Sequence, residues 1–188
     1  MVRHAVLAAF TVVAVVGCGA ESSATTDRSV DVGSVDVGSA DVDPAKPKTV
    51  GYDLRRLRPH DGESLSKMFE RLRKAAIDDG KSAAVLFSAD WCEPCRLLDL
   101  EFGNMHPADE IGHVRILEIK EEDWEAATRM NEVNALRTRW TSTINAYPVL
   151  LLLDDKGDRI EEMQEAKDRL THEGLKATIP AWFAAVKR

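Results

Sequence analysis

The segment Ala83-Ala84-Val85-Leu86-Phe87 is an unbroken apolar run, and a short run of this kind reads as a strand covered on both faces. Such a strand needs a layer of structure on each side of its sheet. The chain from about Val50 onward supplies the pieces. Ser64 is placed to cap a helix whose apolar face is Leu65, Met68, Phe69, Leu72 and Ala76, closed by Asp79-Gly80. Val114 to Ile119 reads as a second strand, Trp124 to Leu136 as a helix and Pro148 to Leu153 as a third strand. The turn Asp154 to Asp158 then leads into a shorter strand, Arg159 to Met163, so this pair reads as a hairpin. A last helix follows Pro180, with Trp182, Phe183 and Val186 on its apolar side. The order β-α-β-α-β-α-β-β-α implies an α/β fold, with a largely parallel sheet, helices on both faces and an antiparallel edge.

Cys92 and Cys95 lie between the first strong strand and the helix that follows it. At a helix start, residues three apart have β-carbons about 5 to 6 Å from each other, which a disulfide spans after modest adjustment. The pair is therefore able to cycle between dithiol and disulfide. Unpaired N–H groups and the positive end of the helix dipole favour a thiolate on Cys92 and make it the attacking group. Cys95, one turn deeper, would resolve a mixed disulfide, and Pro94 fits the first turn, where its missing N–H costs little. A structural zinc needs four ligands, but the domain has no second cysteine pair and His60, His106, His113 and His172 are scattered. No metal is expected. A permanently closed, inert bridge stays open as an alternative, because an extracytoplasmic disulfide without an electron donor is not reduced.

The sequence Trp91-Cys92-Glu93-Pro94-Cys95 between strand and helix, followed by Tyr147-Pro148 just before an apolar strand, resembles the thioredoxin family over roughly residues 50 to 188. Ser88-Ala89-Asp90-Trp91-Cys92 with the later Leu100-Glu101-Phe102 is similar to the thioredoxin-like C-terminal domain of the disulfide reductase DsbD. The Cys-Glu-Pro-Cys core is also similar to extracytoplasmic reductases that serve cytochrome c maturation. The resemblance implies a thioredoxin fold, a central mixed sheet flanked by helices, and thiol:disulfide exchange without an organic cofactor. It also implies that Pro148 is cis and lines a substrate groove with Trp91, Glu93, Pro94 and Tyr147.

Several positions depart from that pattern. Many thioredoxins carry a buried Asp six residues before the first cysteine, where this chain has Leu86. Asp99, four residues after Cys95 and so on the same helical face, is the candidate acid for deprotonating Cys95. Glu93 places a negative charge beside Cys92 and opposes its thiolate, which predicts a reducing couple. Arg96 reads equally as a solvated cation or a thiolate partner. The segment Thr138 to Ala146 reads as an insertion, in which Trp140 plugs the core, and Glu165 to Thr178 is also long for this pattern.

The N-terminus reads as an address. Arg3 is followed by an apolar stretch from Ala5 to Val16, and Val15-Val16-Gly17-Cys18 resembles a bacterial lipobox, so residues 1–17 read as a lipoprotein signal peptide and Cys18 as the lipid attachment site. Gly19 in place of Asp suggests the outer membrane. Residues 18–49 include two Ser-Val-Asp-Val-Gly repeats and no aromatic residue, a composition that does not bury enough surface to offset its ordering entropy. As a flexible linker it would hold the domain roughly 30 Å from a bilayer. The formal charge of -7 argues against nucleic acid as a partner, since a phosphate-binding face needs a basic excess.

Together these readings predict a lipid-anchored, periplasm-facing thiol:disulfide oxidoreductase, a reductase of protein disulfides whose electrons come from a membrane or periplasmic donor. The alternative from another class is a lipid-anchored binding or assembly protein with a structural bridge on the same fold.

Overall fold

The computed structural model describes residues 48–143 and 146–186. The signal peptide, Cys18 and the tether up to residue 47 lie outside the described residues. The elements run β1 (Thr49–Gly51), β2 (Asp53–Arg56), α1 (Leu65–Asp78), β3 (Ser82–Ser88), α2 (Glu93–Phe102), β4 (Met105–Pro107), α3 (Ala108–Ile111), β5 (Val114–Lys120), α4 (Glu121–Ala126), α5 (Met130–Arg137), β6 (Val149–Leu153), β7 (Arg159–Glu162), α6 (Met163–His172) and α7 (Ile179–Ala184). Five strands form one sheet in the order β2-β5-β3-β6-β7, and β1 pairs with β4 in a small second sheet.

Strands β2, β5 and β3 are parallel, while β6 and β7 run antiparallel to their neighbours. This is the α/β, mixed-sheet architecture that the resemblance implies; the element order alone predicts a largely parallel sheet, but β6 lies antiparallel to the central β3. The apolar run of β3 is central because both of its faces are covered. Val85 and Phe87 pack with Leu65, Phe69, Trp124, Val133 and Leu136 from α1, α4 and α5. Ala84 and Leu86 pack with Leu98, Phe102, Ala166, Leu170, Trp182 and Phe183 from α2, α6 and α7. Ser64 caps α1 as predicted, its side chain accepting from the Lys67 N–H.

Three segments differ from expectation. The stretch from Trp124 to Leu136 is two helices, broken where Thr128 takes a positive φ of 56°. Trp124 is fully buried and its Nε1 donates to the Leu57 carbonyl at 3.2 Å, so α4 is pinned in one direction and α5 must restart to bury Val133 and Leu136. Within the long segment after β7, α6 forms behind a reciprocal cap between Glu162 and Glu165. Its apolar signal is thin because it buries only Ala166 and Leu170. β4 and α3 were not anticipated at all. Trp140, by contrast, plugs the core as expected, with its ring 5.3 Å from Phe69 and its Nε1 donating to the Gly157 carbonyl at 2.9 Å.

Candidate active site

The site forms where β3 ends and α2 begins. Ser88 is the last residue of β3, and the chain turns through Ala89, Asp90 and Trp91 so that Cys92 becomes the N-cap of α2. Cys92 and Cys95 are joined in a disulfide, with Cα atoms 5.2 Å apart. The Cys92 sulfur also accepts the Cys95 backbone N–H at 3.2 Å. One of the donors left unpaired at the start of every helix is thus aimed at the atom that would carry charge after reduction. Pro94 occupies the first turn.

Tyr147-Pro148 is a cis peptide just ahead of β6, and the Tyr147 ring packs against the small cluster of Ala89, Cys92 and Cys95. Trp91, 65% exposed, meets Tyr147 edge to face with centroids 5.6 Å apart. Burial first, and then the neighbouring Glu121 carboxylate, push the Tyr147 hydroxyl above its ordinary range, so it stays protonated. Both cysteines are nearly covered, at 4% and 2% exposure. Pro94 and Pro148 border a groove of about 480 Å³ that continues along Leu97, Met163, Thr178 and Ile179. The structure thus gathers Trp91, Cys92, Pro94, Cys95, Tyr147 and Pro148 into one region.

Glu93 and Asp99 have charged partners of their own. Glu93 is ion-paired with Arg96 on the outer face of α2, and both side chains are largely exposed. Asp99 lies one turn beyond Cys95, and its carboxylate is 3.6 Å from the Lys120 ammonium. Lys120 also contacts Asp90 at 2.5 Å. Burial pulls the Lys120 pKa down, but Asp90, Asp99 and Glu118 outweigh that and the net shift is upward, which keeps it a cation.

Ser88, Glu118 and Lys120 are the residues that sequence reasoning missed here. Glu118 is only 4% exposed and accepts from the Ser88 hydroxyl at 2.8 Å. In the sheet it pairs with Leu86, and Lys120 pairs with Ser88. The position opposite Leu86 therefore carries the buried acid that Leu86 itself lacks. A signal existed, since charges at alternate positions of a strand covered on both faces require buried partners. Arg137, discussed below, gave no such signal. Among the described residues no group of three His, Cys, Asp or Glu side chains converges as a metal site would require.

A central mixed sheet, a disulfide-forming Cys-x-x-Cys at a helix start and a cis-proline beside it define the thioredoxin-like class, and the chain has that fold. No protein-family model matches the chain, and no curated protein matches it. Among solved structures it is similar to thioredoxin O1 from Arabidopsis thaliana in the oxidised state, at 16% identity, 64% coverage of this chain, 96% of that one and a TM-score of 0.40. It is also similar to a disulphide isomerase from Xylella fastidiosa Temecula1, at 17% identity, coverages of 68% and 95% and a TM-score of 0.42. A poplar thioredoxin h gives 18% identity, coverages of 65% and 92% and a TM-score of 0.38.

Proposed function

We propose that the chain is a thiol:disulfide oxidoreductase that reduces protein disulfides on the extracytoplasmic side of a membrane, held there by lipid on Cys18. The observation that carries the chemistry is the Cys92–Cys95 disulfide at the N-terminus of α2, with the Cys95 N–H on the Cys92 sulfur. In the reduced pair the Cys92 thiolate attacks one sulfur of a substrate disulfide, forming a mixed disulfide and expelling the other sulfur as a thiolate. Cys95 then attacks the Cys92 sulfur, and the second substrate thiol leaves. Two electrons pass to the substrate and the pair closes. A protein or membrane dithiol resets it by the reverse exchange. Asp99 accepts the Cys95 proton in this scheme, with Lys120 balancing its charge. The substrate segment lies along the groove between Pro94 and Pro148, beside the exposed Leu97.

The test is the reduction potential of the pair in the full chain, measured by equilibration with glutathione or dithiothreitol and thiol trapping. A reversible couple near thioredoxin's, about -270 mV, supports a reductase, and a value near about -120 mV overturns the direction of exchange. The near-complete cover of both cysteines favours a second reading, a binding or assembly lipoprotein whose bridge is structural. A pair that opens only on unfolding would establish that reading instead. Loss of acyl labelling in Cys18→Ser tests the anchor.

A further inference from the structure

Arg137, the last residue of α5, is 1% exposed. Its Nη2 donates to the Ala146 carbonyl, while Nε and Nη1 meet no partner among the described residues. Its guanidinium lies 4.7 Å from the Tyr147 ring centroid and 5.5 Å from that of Phe87. A buried cation with two unpaired nitrogens costs folding free energy, and the nearby Tyr147 hydroxyl and Glu121 charge offset its desolvation only in part. Cation–π contacts with Tyr147 and Phe87 recover part of that cost. An apolar side chain of the same length would fill the space more cheaply, so the contribution of Arg137 is sought in what it holds.

It holds the segment leading into the cis-proline. One hydrogen bond fixes the carbonyl just before Tyr147, and the planar guanidinium backs the Tyr147 ring. The ring packs against Cys92 and Cys95 and takes the edge of Trp91. We propose that Arg137 is a positioning residue for substrate docking: it fixes Tyr147 against the cysteine pair and, through the next peptide, Pro148 at the border of the groove, without touching the reacting sulfurs. Lysine does not replace it, because an ammonium carries charge but lacks the flat fork that both donates and stacks. This rests on the exchange chemistry proposed above.

The test is steady-state reduction of insulin, a protein disulfide, and of hydroxyethyl disulfide, a small one that needs no groove wall, by full-length wild type, Arg137→Met and Arg137→Lys. Loss of positioning raises KM for insulin about fivefold to tenfold in Arg137→Met with kcat little changed, the pattern of lost uniform binding. The rate with hydroxyethyl disulfide and the urea midpoint are maintained, and Arg137→Lys falls between the two. An unchanged insulin KM, or equal loss on both disulfides, overturns the inference while leaving the exchange reading intact. A wild type that reduces neither overturns both. Should Arg137→Met not fold, the insulin-to-hydroxyethyl ratio in Arg137→Lys decides in the same way.

Discussion

Strand β5 carries a charge centre at each end, and the two are opposite in kind. At its start Arg115 and Lys81 meet the carboxylate of Asp53 at 2.8 and 2.6 Å, and Arg55 adds a third contact at 2.8 Å. Asp53 and Arg115 have side chains only 12% and 11% exposed. At its end Lys120 faces Asp90, Asp99 and the buried Glu118, with Arg56 of β2 also close to Glu118 and Asp90, and Asp90 and Asp99 remain open to water. One centre is a closed cluster that ties the edge strand β2 and the start of β3 to β5. The other sits at the carboxyl ends of the parallel strands, where ligand sites of open α/β sheets form, and its acids Asp90 and Asp99 face solvent. The same pairing chemistry thus holds the sheet at one end and leaves water-exposed carboxylates around Lys120 at the other.

The largest effect expected from breaking this contrast is at the closed end. Asp53→Asn keeps the shape but leaves Lys81 and Arg115 facing a neutral amide, and removing one partner of a buried pair typically costs about 3 kcal/mol. Burial raises the Asp53 pKa, but hydrogen bonds from Lys81 and Arg115 overcome this and the net shift is downward. The contribution is therefore complete above the unfolded-state value of about 3.9, and it is lost as pH falls through the still lower folded-state value. Urea midpoints should show wild type and variant widely separated at pH 7 and converging below about pH 4. Disulfide exchange should be the same in both. A gap that persists in acid would mean that the lost stability was packing, not charge.

At the open end the effect is smaller and kinetic. Asp99 is 43% exposed, so Asp99→Asn should change stability by less than about 1 kcal/mol. A well-placed proton acceptor is worth about a hundredfold or more; Asp99 shares its charge with Lys120, and we expect a loss of about fivefold in the rate of insulin reduction at pH 7. The pH profile of exchange should also move. An unmoved profile removes Asp99 from the proton path and leaves Glu118, buried beneath Ser88, as the next acid to test.

How far these differences could be read in advance depended on periodicity. The runs at β3 and β6 and the three- and four-residue spacing of α1 are strong signals, because each buries a continuous face. α6 buries only Ala166 and Leu170, too little for a pattern to show. The stretch from Trp124 to Leu136 showed helix but not the break at Thr128, which is set by where the indole must reach. At the site, Cys92 and Cys95 were legible because spacing along one helix suffices to pair them, and Pro148 was legible through the thioredoxin resemblance that the two motifs carry. Glu118, Lys120 and Arg137 were not, because their roles depend on which residue lies across a strand pair or beneath a loop. Register and packing direction are set by the whole sheet rather than by any local stretch.

Glu93 is next to Cys92 in sequence, yet it is the charge from which we expect the least. Its carboxylate opposes a thiolate at Cys92, but Arg96 pairs with it and both side chains are 64% exposed, so solvent screens each of them. Removing Glu93 stabilises the thiolate, favours the reduced state and moves the potential in the oxidising direction; freeing Arg96 acts with the same sign. At the lower end of the range for exposed pairs, about 0.3 kcal/mol, Glu93→Gln should shift the two-electron couple by about 6 mV. The centres at the ends of β5 would then rank above it because each is built on a largely buried cation, Arg115 or Lys120, and nearness in sequence would count for little. A shift of about 30 mV, equivalent to roughly 1.4 kcal/mol, would reverse that ranking. The reducing character of the pair would then be set on the outer face of α2, where a docked partner covering Glu93 and Arg96 would retune it.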